Sequence, residues 1–153
     1  SILHIAAHGE YRMDQPELSY IELADGQLIA DDLLQRDLDC DLVTLSACET
    51  GRAKAAAGDE LIGLGRGFLF AGARALIGSL WQVNDGVTVR WMETFYQALR
   101  AGMSKAAAQR AAMDSLRADD VNLHPAFWGT FQLIGSNEPL QQPHESPART
   151  LKG

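Results

Sequence analysis

The stretch Asp41-Leu-Val-Thr-Leu-Ser-Ala-Cys-Glu-Thr-Gly51 decides the fold. Leu42 to Ala47 form an apolar run with β-branched members, which is typical of a strand buried on both faces. Cys48 follows this run directly, and the Glu-Thr-Gly sequence after it indicates a turn. Open α/β sheets bind their ligands at the carboxyl ends of their strands. The run therefore predicts a thiol at a position where ligands are bound.

A second predicted strand, Ile2 to Ala7, ends in the same way, with His8 and Gly9. If the two strands are parallel neighbours, the imidazole of His8 and the thiol of Cys48 share one crevice. A histidine in that position can accept the thiol proton and later protonate a leaving amine, so we favour a nucleophilic dyad. The alternatives are a buried structural thiol at Cys48 and a polar strand end at His8. The amides of Gly9 and Cys48 are candidates to bind an oxyanion.

The rest of the chain alternates strand and helix patterns, which predicts an α/β fold with a mainly parallel sheet. Asp25-Gly26 predicts a hairpin over residues 19–29, and Asp85 is the candidate cap of a helix over 87–99. Further helices are predicted near 31–36, 59–72 and 104–117, and further strands over 74–81 and 127–134. Prolines and scattered polar residues predict a disordered tail. We therefore assign one domain to residues 1–136 and a tail to 137–153.

Charge and cysteine usage limit the possible partners. The net charge is −7 and the sequence has no run of Lys and Arg, so nucleic acid is not an expected partner. No apolar stretch reaches the roughly 18 residues that cross a bilayer, and no signal peptide is evident, so no membrane partner is expected. The strand predicted between Cys40 and Cys48 holds these thiols too far apart for a disulfide. Free thiols are typical of a reducing compartment, so a cytoplasmic location is expected. The cysteine spacing matches no zinc pattern, and neither a metal nor a cofactor is expected.

Seven short motifs, in this order, resemble the CHAT domain, a caspase-like module of the peptidase clan that includes caspases and separases. They are His4-Ile-Ala-Ala-His8-Gly9, Leu23-Ala-Asp-Gly26, Leu42 to Gly51, Gly58-Asp-Glu60, Phe70-Ala-Gly-Ala73, Leu80-Trp-Gln-Val-Asn-Asp85 and His124-Pro-Ala-Phe-Trp128. The resemblance covers roughly residues 3–135. It implies a caspase-like α-β-α sandwich of the kind found in bacterial-type signalling proteins, often attached to tetratricopeptide repeats.

The caspase-like sheet normally has strands and helices before the histidine strand, so the resemblance is to the C-terminal portion of that fold. The first strand is then expected to be an exposed edge that can pair with a second copy of the chain.

The resemblance implies a cysteine-protease dyad of His8 and Cys48, with oxyanion amides at Gly9 and Cys48. It also implies that one group of residues borders the pocket for the residue before the cut: Ser79, Leu80, Trp81 and Asp85. A peptide substrate would bind as an extended strand, held by backbone hydrogen bonds.

The sequence thus predicts a cysteine endopeptidase that forms a thioester acyl-enzyme and is regulated by an attached repeat or sensor region. Two alternatives stay open at this point. One is a non-catalytic interaction module with the same fold. The other is a small-molecule acyl transferase or thiol hydrolase that uses the same dyad.

Overall fold

A computed structural model describes residues 1–10, 12, 14–46, 57–81, 83–118 and 124–141. The elements, in chain order, are β1 (Ile2–Ile5), β2 (Gly9–Glu10), a 3-10 helix (Pro16–Leu18), β3 (Tyr20–Leu23), β4 (Gly26–Ile29), α1 (Ala30–Leu33), β5 (Leu42–Leu45), α2 (Ala57–Phe70), β6 (Ala75–Ser79), α3 (Asp85–Arg100), α4 (Lys105–Arg117), α5 (Pro125–Trp128) and β7 (Phe131–Gly135).

Four strands form the main sheet in the order β1-β5-β6-β7. The first three are parallel, and β7 is antiparallel to β6. The predicted α/β class with a mainly parallel, caspase-like sheet is confirmed. A second sheet of order β2-β3-β4 contains the predicted hairpin, in which Leu23 is the register partner of Gly26.

Alternate residues of β5 face two separate cores, one on each side of the sheet. Leu42 belongs to the core formed with α3 and α4, where Trp91 and Phe95 are fully buried. Val43 and Leu45 belong to the opposite core, which contains Phe68 of α2 and Leu33 of α1. All four residues of β5 are buried, as expected for a central parallel strand covered on both faces.

Among the described strands, β1 lies at the edge of the main sheet, beside β5. Ile2 and Leu3 are 38% and 36% exposed, although both are apolar. The exposed edge agrees with the sequence prediction. Its pairing with a second copy of the chain stays a prediction.

Two local predictions were wrong. Asn84, not Asp85, caps α3: its backbone is non-helical and its Oδ1 accepts the amide hydrogen of Gly86 at 2.8 Å, while Asp85 is already the first helical residue. The last strand begins at Phe131 rather than Phe127, because Pro125 at the first turn and the capping side chain of His124 start the short helix α5.

The segment that follows β7 packs against α4. Lys105 Nζ donates to the carbonyl oxygen of Glu138 at 2.6 Å, and the amide of Ala106 donates to Asn137 Oδ1 at 2.7 Å. Leu140 packs against the core on the α3 side. The disordered tail was predicted from residue 137, but Asn137, Glu138 and Leu140 make these contacts. The rest of that prediction, for residues 142–153, lies outside the described residues.

Candidate active site

The carboxyl ends of β1 and β5 lie side by side. Ile5 is the register partner of Leu45, and the amide of Ser46 donates to the carbonyl of Ile5 at 2.9 Å, which continues the pairing by one residue. His8 follows Ile5 by three residues, and Cys48 follows Leu45 by three residues. Cys48 lies outside the described residues, so the predicted dyad and the predicted oxyanion amide of Cys48 stay predictions.

The backbone of His8 and Gly9 is fixed by the second sheet. The amide of Glu22 donates to the carbonyl of His8 at 2.7 Å, and Gly9 is the register partner of Ile21. A Cβ at Gly9 would lie 3.0 Å from the carbonyl oxygen of Tyr20, so a side chain there would crowd β3. The side chain of His8 is exposed. The hairpin therefore orients the segment that presents this imidazole.

A polar network of three side chains lies beside the strand ends. The hydroxyl of Tyr96 donates to Thr44 Oγ1 at 2.8 Å and lies 2.6 Å from His4 Nδ1. Partial burial lowers the pKa of His4 below its ordinary value of 6.5, so this ring is neutral at neutral pH.

A cavity of about 620 Å³ opens between this network and the exposed side of α3. Val89 and Met92 contribute apolar walls, and Glu93 contributes a carboxylate. Ala6 and Ser46 also line it, and each comes two residues before a member of the predicted dyad. The cavity thus includes the first residues after the ends of β1 and β5.

The predicted pocket residues follow β6, the strand on the other side of β5. Ser79 ends β6, and the amide of Leu80 donates to the carbonyl of Thr130 at 2.7 Å. Thr130 Oγ1 donates to the carbonyl of Trp81 at 2.9 Å, and Trp81 Nε1 donates to the carbonyl of Ala126 at 2.8 Å. The side chain of Trp81 remains 40% exposed. These residues therefore lie beyond the same sheet edge as His8.

Asp85 begins α3 and is exposed. Asn84 supplies the helix cap, and the carboxylate of Asp85 makes no hydrogen bond or ion pair with the residues that the structure describes. A carboxylate at the first turn is favoured by the helix dipole and stays available to a ligand.

Sequence reasoning missed four residues of this region, which are Thr44, Tyr96, Ala126 and Thr130. Tyr96 follows a residue on the apolar face of α3, but its partners Thr44 and His4 come from strands 52 and 92 residues earlier in the chain. The motif His124-Pro-Ala-Phe-Trp128 was recognised, but its contact with Trp81 could not be inferred from spacing.

The second cysteine, Cys40, is free and only 7% exposed. Burial raises the pKa of its thiol, which disfavours the reactive thiolate. No cluster of three or more His, Cys, Asp or Glu side chains that could hold a metal ion occurs among the described residues. None of the helices in the described ranges is long and apolar enough to cross a membrane.

A mostly parallel sheet with helices on both faces, and a histidine after its first strand, defines an α/β protein of the caspase-like class. The chain belongs to the CHAT domain family, whose model matches residues 1–136. It is 34% identical to human (Homo sapiens) tetratricopeptide repeat protein 28 over 138 residues, which is 90% of this chain. The mouse (Mus musculus) protein of the same name is 34% identical over 76% of this chain. The chain spans about 5% of the length of these relatives.

Proposed function

We propose that this domain is a caspase-like cysteine endopeptidase, with Cys48 as the nucleophile and His8 as the general acid and base. The observation that carries the proposal is the parallel, in-register pairing of β1 with β5. Because the two strands are parallel, β1 and β5 end at the same edge of the sheet, and in the sequence His8 and Cys48 each come three residues after those ends. That edge is where ligands bind in open α/β folds.

In the proposed reaction, His8 accepts the proton of the Cys48 thiol, and the thiolate attacks the scissile carbonyl carbon. The amides of Gly9 and Cys48 stabilise the negative oxygen that forms. The tetrahedral intermediate collapses, the C–N bond breaks, and His8 gives its proton to the leaving amine. A water molecule then attacks the thioester while His8 takes a proton from it, which releases the carboxylic acid and restores the thiol.

The substrate is proposed to bind as an extended strand, with the residue before the cut bordered by Ser79, Leu80, Trp81 and Asp85. The exposed carboxylate of Asp85 supports a preference for a basic side chain at that position. The names of the human and mouse relatives support an attached tetratricopeptide-repeat region as the regulator. We further propose a cytoplasmic location.

Alkylation by iodoacetamide between pH 6 and 8, with the modified residue located by peptide mass spectrometry, tests the dyad. Cys48 should react, while the buried Cys40 serves as an internal control. His8→Ala should lower the rate at Cys48 by at least about tenfold at pH 6.5, because the histidine no longer favours the thiolate. His144→Ala is the matched control and should leave the rate unchanged. Equal rates in the parent and His8→Ala would refute the dyad.

Peptide-library cleavage then tests the reaction itself. Cleavage that disappears in Cys48→Ala supports the endopeptidase. Hydrolysis of thioester substrates without peptide cleavage would favour the acyl-transfer chemistry instead. A folded chain that does neither, and whose Cys48 is unreactive, would be a non-catalytic interaction module.

We also propose that two copies of the chain pair through β1, whose backbone edge and apolar side chains are exposed. A concentration series by size-exclusion chromatography with light scattering tests this pairing. A dimer that dissociates in Leu3→Lys supports it. A clean monomer at all concentrations contradicts it without affecting the dyad.

A further inference from the structure

We propose that Ala126 and Thr130 are positioning residues for Trp81, and that they hold its indole ring as a rigid wall of the substrate pocket. The inference rests on the proposed function, because only a peptidase would have this substrate pocket. The new element is the turn that shapes the pocket, which consists of α5 and the residue before β7.

Three hydrogen bonds join the segment after β6 to this turn. The amide of Leu80 donates to the carbonyl of Thr130 at 2.7 Å, and the hydroxyl of Thr130 donates to the carbonyl of Trp81 at 2.9 Å. The third bond, from Trp81 Nε1 to the carbonyl of Ala126 at 2.8 Å, involves the side chain. The first two bonds fix the backbone of Trp81, and the third selects one orientation of its ring.

The acceptor at Ala126 is itself held in place. His124 Nδ1 accepts the amide hydrogen of Ala126 at 3.2 Å, and the amide of Gly129 donates to the carbonyl of Pro125 at 2.8 Å. The guanidinium of Arg117 lies 5.1 Å from the centre of the Trp128 ring, which links the same turn to α4. A one-turn helix leaves most of its carbonyls without an intrahelical donor, and the indole N–H of Trp81 supplies one to Ala126, the second residue of α5.

The ring is bonded at one edge and 40% exposed, so it can contact a substrate without losing further conformational freedom. Phenylalanine offers a similar aromatic surface but has no N–H to donate. The loss of this bond should weaken substrate binding more than it slows the chemical step, because a wall that moves must be ordered when the substrate binds.

A kinetic test compares two reagents on the full chain. A peptidyl acyloxymethyl ketone reports on the pocket, whereas iodoacetamide reports on the thiol alone. Trp81→Phe and Thr130→Val should each raise the half-saturating concentration of the peptidyl reagent about five- to tenfold. The limiting rate of that reagent and the iodoacetamide rate should not change. Thr130→Ser keeps the hydroxyl and should restore the parent value, while Thr94→Val, on α3, is the control for a lost threonine hydroxyl.

An activity-independent measurement accompanies the kinetics. The indole N–H of Trp81, assigned in NMR spectra by its loss in Trp81→Phe, should exchange with solvent more slowly in the parent than in Thr130→Val. If the indole N–H of Trp81 exchanges equally fast and the peptidyl reagent half-saturates at the same concentration in the parent and in Thr130→Val, the proposed positioning role is wrong. A second outcome separates this inference from the proposed function. If the exchange rates differ but neither reagent reacts in a His8-dependent way, the hydrogen bonds to Trp81 are a structural contact only. The proposed peptidase and the positioning role would then both be wrong.

Discussion

His4 and Thr44 are register partners on neighbouring parallel strands, and the hydroxyl of Tyr96 hydrogen-bonds to both of their side chains. Each partner comes four residues before a member of the proposed dyad. Tyr96 therefore ties the edge strand β1 to the central strand β5 and to α3. This contact stabilises the relative position of the two strands from which the proposed catalytic residues follow.

The substitution Tyr96→Phe removes this link while keeping the ring. Thr44 is fully buried, so its hydroxyl is left without the tyrosine partner. The free energy of unfolding should fall by about 1–2 kcal/mol, measured by urea denaturation at pH 7.5. The matched control is Tyr20→Phe, whose hydroxyl bonds to Glu10 at the surface, so its loss should lower the free energy of unfolding clearly less than Tyr96→Phe does. An equal loss of unfolding free energy in Tyr96→Phe and Tyr20→Phe would contradict the stabilising link from Tyr96 to the two strands.

The lowered pKa of His4 predicts a pH dependence of stability with a definite sign. Above pH 6.5 the ring is neutral in both the folded and the unfolded chain, so it contributes no dependence. As the pH falls below 6.5, the unfolded chain binds the proton first, because partial burial lowers the pKa of His4 only in the folded state. The free energy of unfolding therefore falls as the pH decreases from 6.5 to the pKa that His4 has in the folded state.

The variant His4→Gln should lose less stability than the parent between pH 7.5 and 5.5, measured by urea unfolding at each pH. His144→Gln is the control for the replacement of a histidine by glutamine and should keep the parent's dependence. A parent-like pH dependence in His4→Gln would show that the ring is as easily protonated in the folded state as in the unfolded chain.

The sequence predicted the central features of the fold because they depend on local patterns. The apolar run before Cys48 predicted β5, and Gly72 predicted the end of α2. This glycine has a φ of +109°, and a Cβ there would lie 2.6 Å from the carbonyl oxygen of Leu38. Both signals are contained in a few consecutive residues.

The features that the sequence did not predict depend on contacts between distant segments. Asn84 and Asp85 are both good capping residues, and the choice between them depends on the path by which the chain leaves β6. The bond from Trp81 to Ala126 joins residues 45 positions apart. Propensity and spacing do not determine which of several polar groups meet after packing.

The capping result leads to a prediction for Asp85. Because Asn84 supplies the cap, Asn84→Ala should cost about 1 kcal/mol of folding free energy, while Asp85→Asn should cost under about 0.5 kcal/mol. If the proposed peptidase prefers a basic residue before the cut, Asp85→Asn should lower kcat/KM for an arginyl peptide by at least about tenfold. It should change kcat/KM for the matching glutaminyl peptide far less. An equal change for both peptides would exclude Asp85 from the selection of charge.

The contact between α4 and the segment after β7 leads to a prediction about the extent of the folded domain. Lys105 is 1% exposed, and burial lowers the pKa of its ammonium group, although the charges of Asp41 and Glu138 act in the opposite direction. The carbonyl of Glu138 accepts a hydrogen bond from Lys105 Nζ. A chain that ends at Ser136 would lose that acceptor and leave a buried cation poorly solvated. Its free energy of unfolding should fall by about 2 kcal/mol or more.

Two comparisons separate this cause from a general effect of shortening the chain. A chain that ends at Gln141 keeps the contact and should unfold at the same urea concentration as the full chain. In a Lys105→Met background no ammonium is buried, so truncation at Ser136 should cost at least 1 kcal/mol less than in the parent, the rest being the loss of Leu140 and Asn137 contacts. An equal cost of truncation in both backgrounds would mean that the lysine does not depend on residues 137–141.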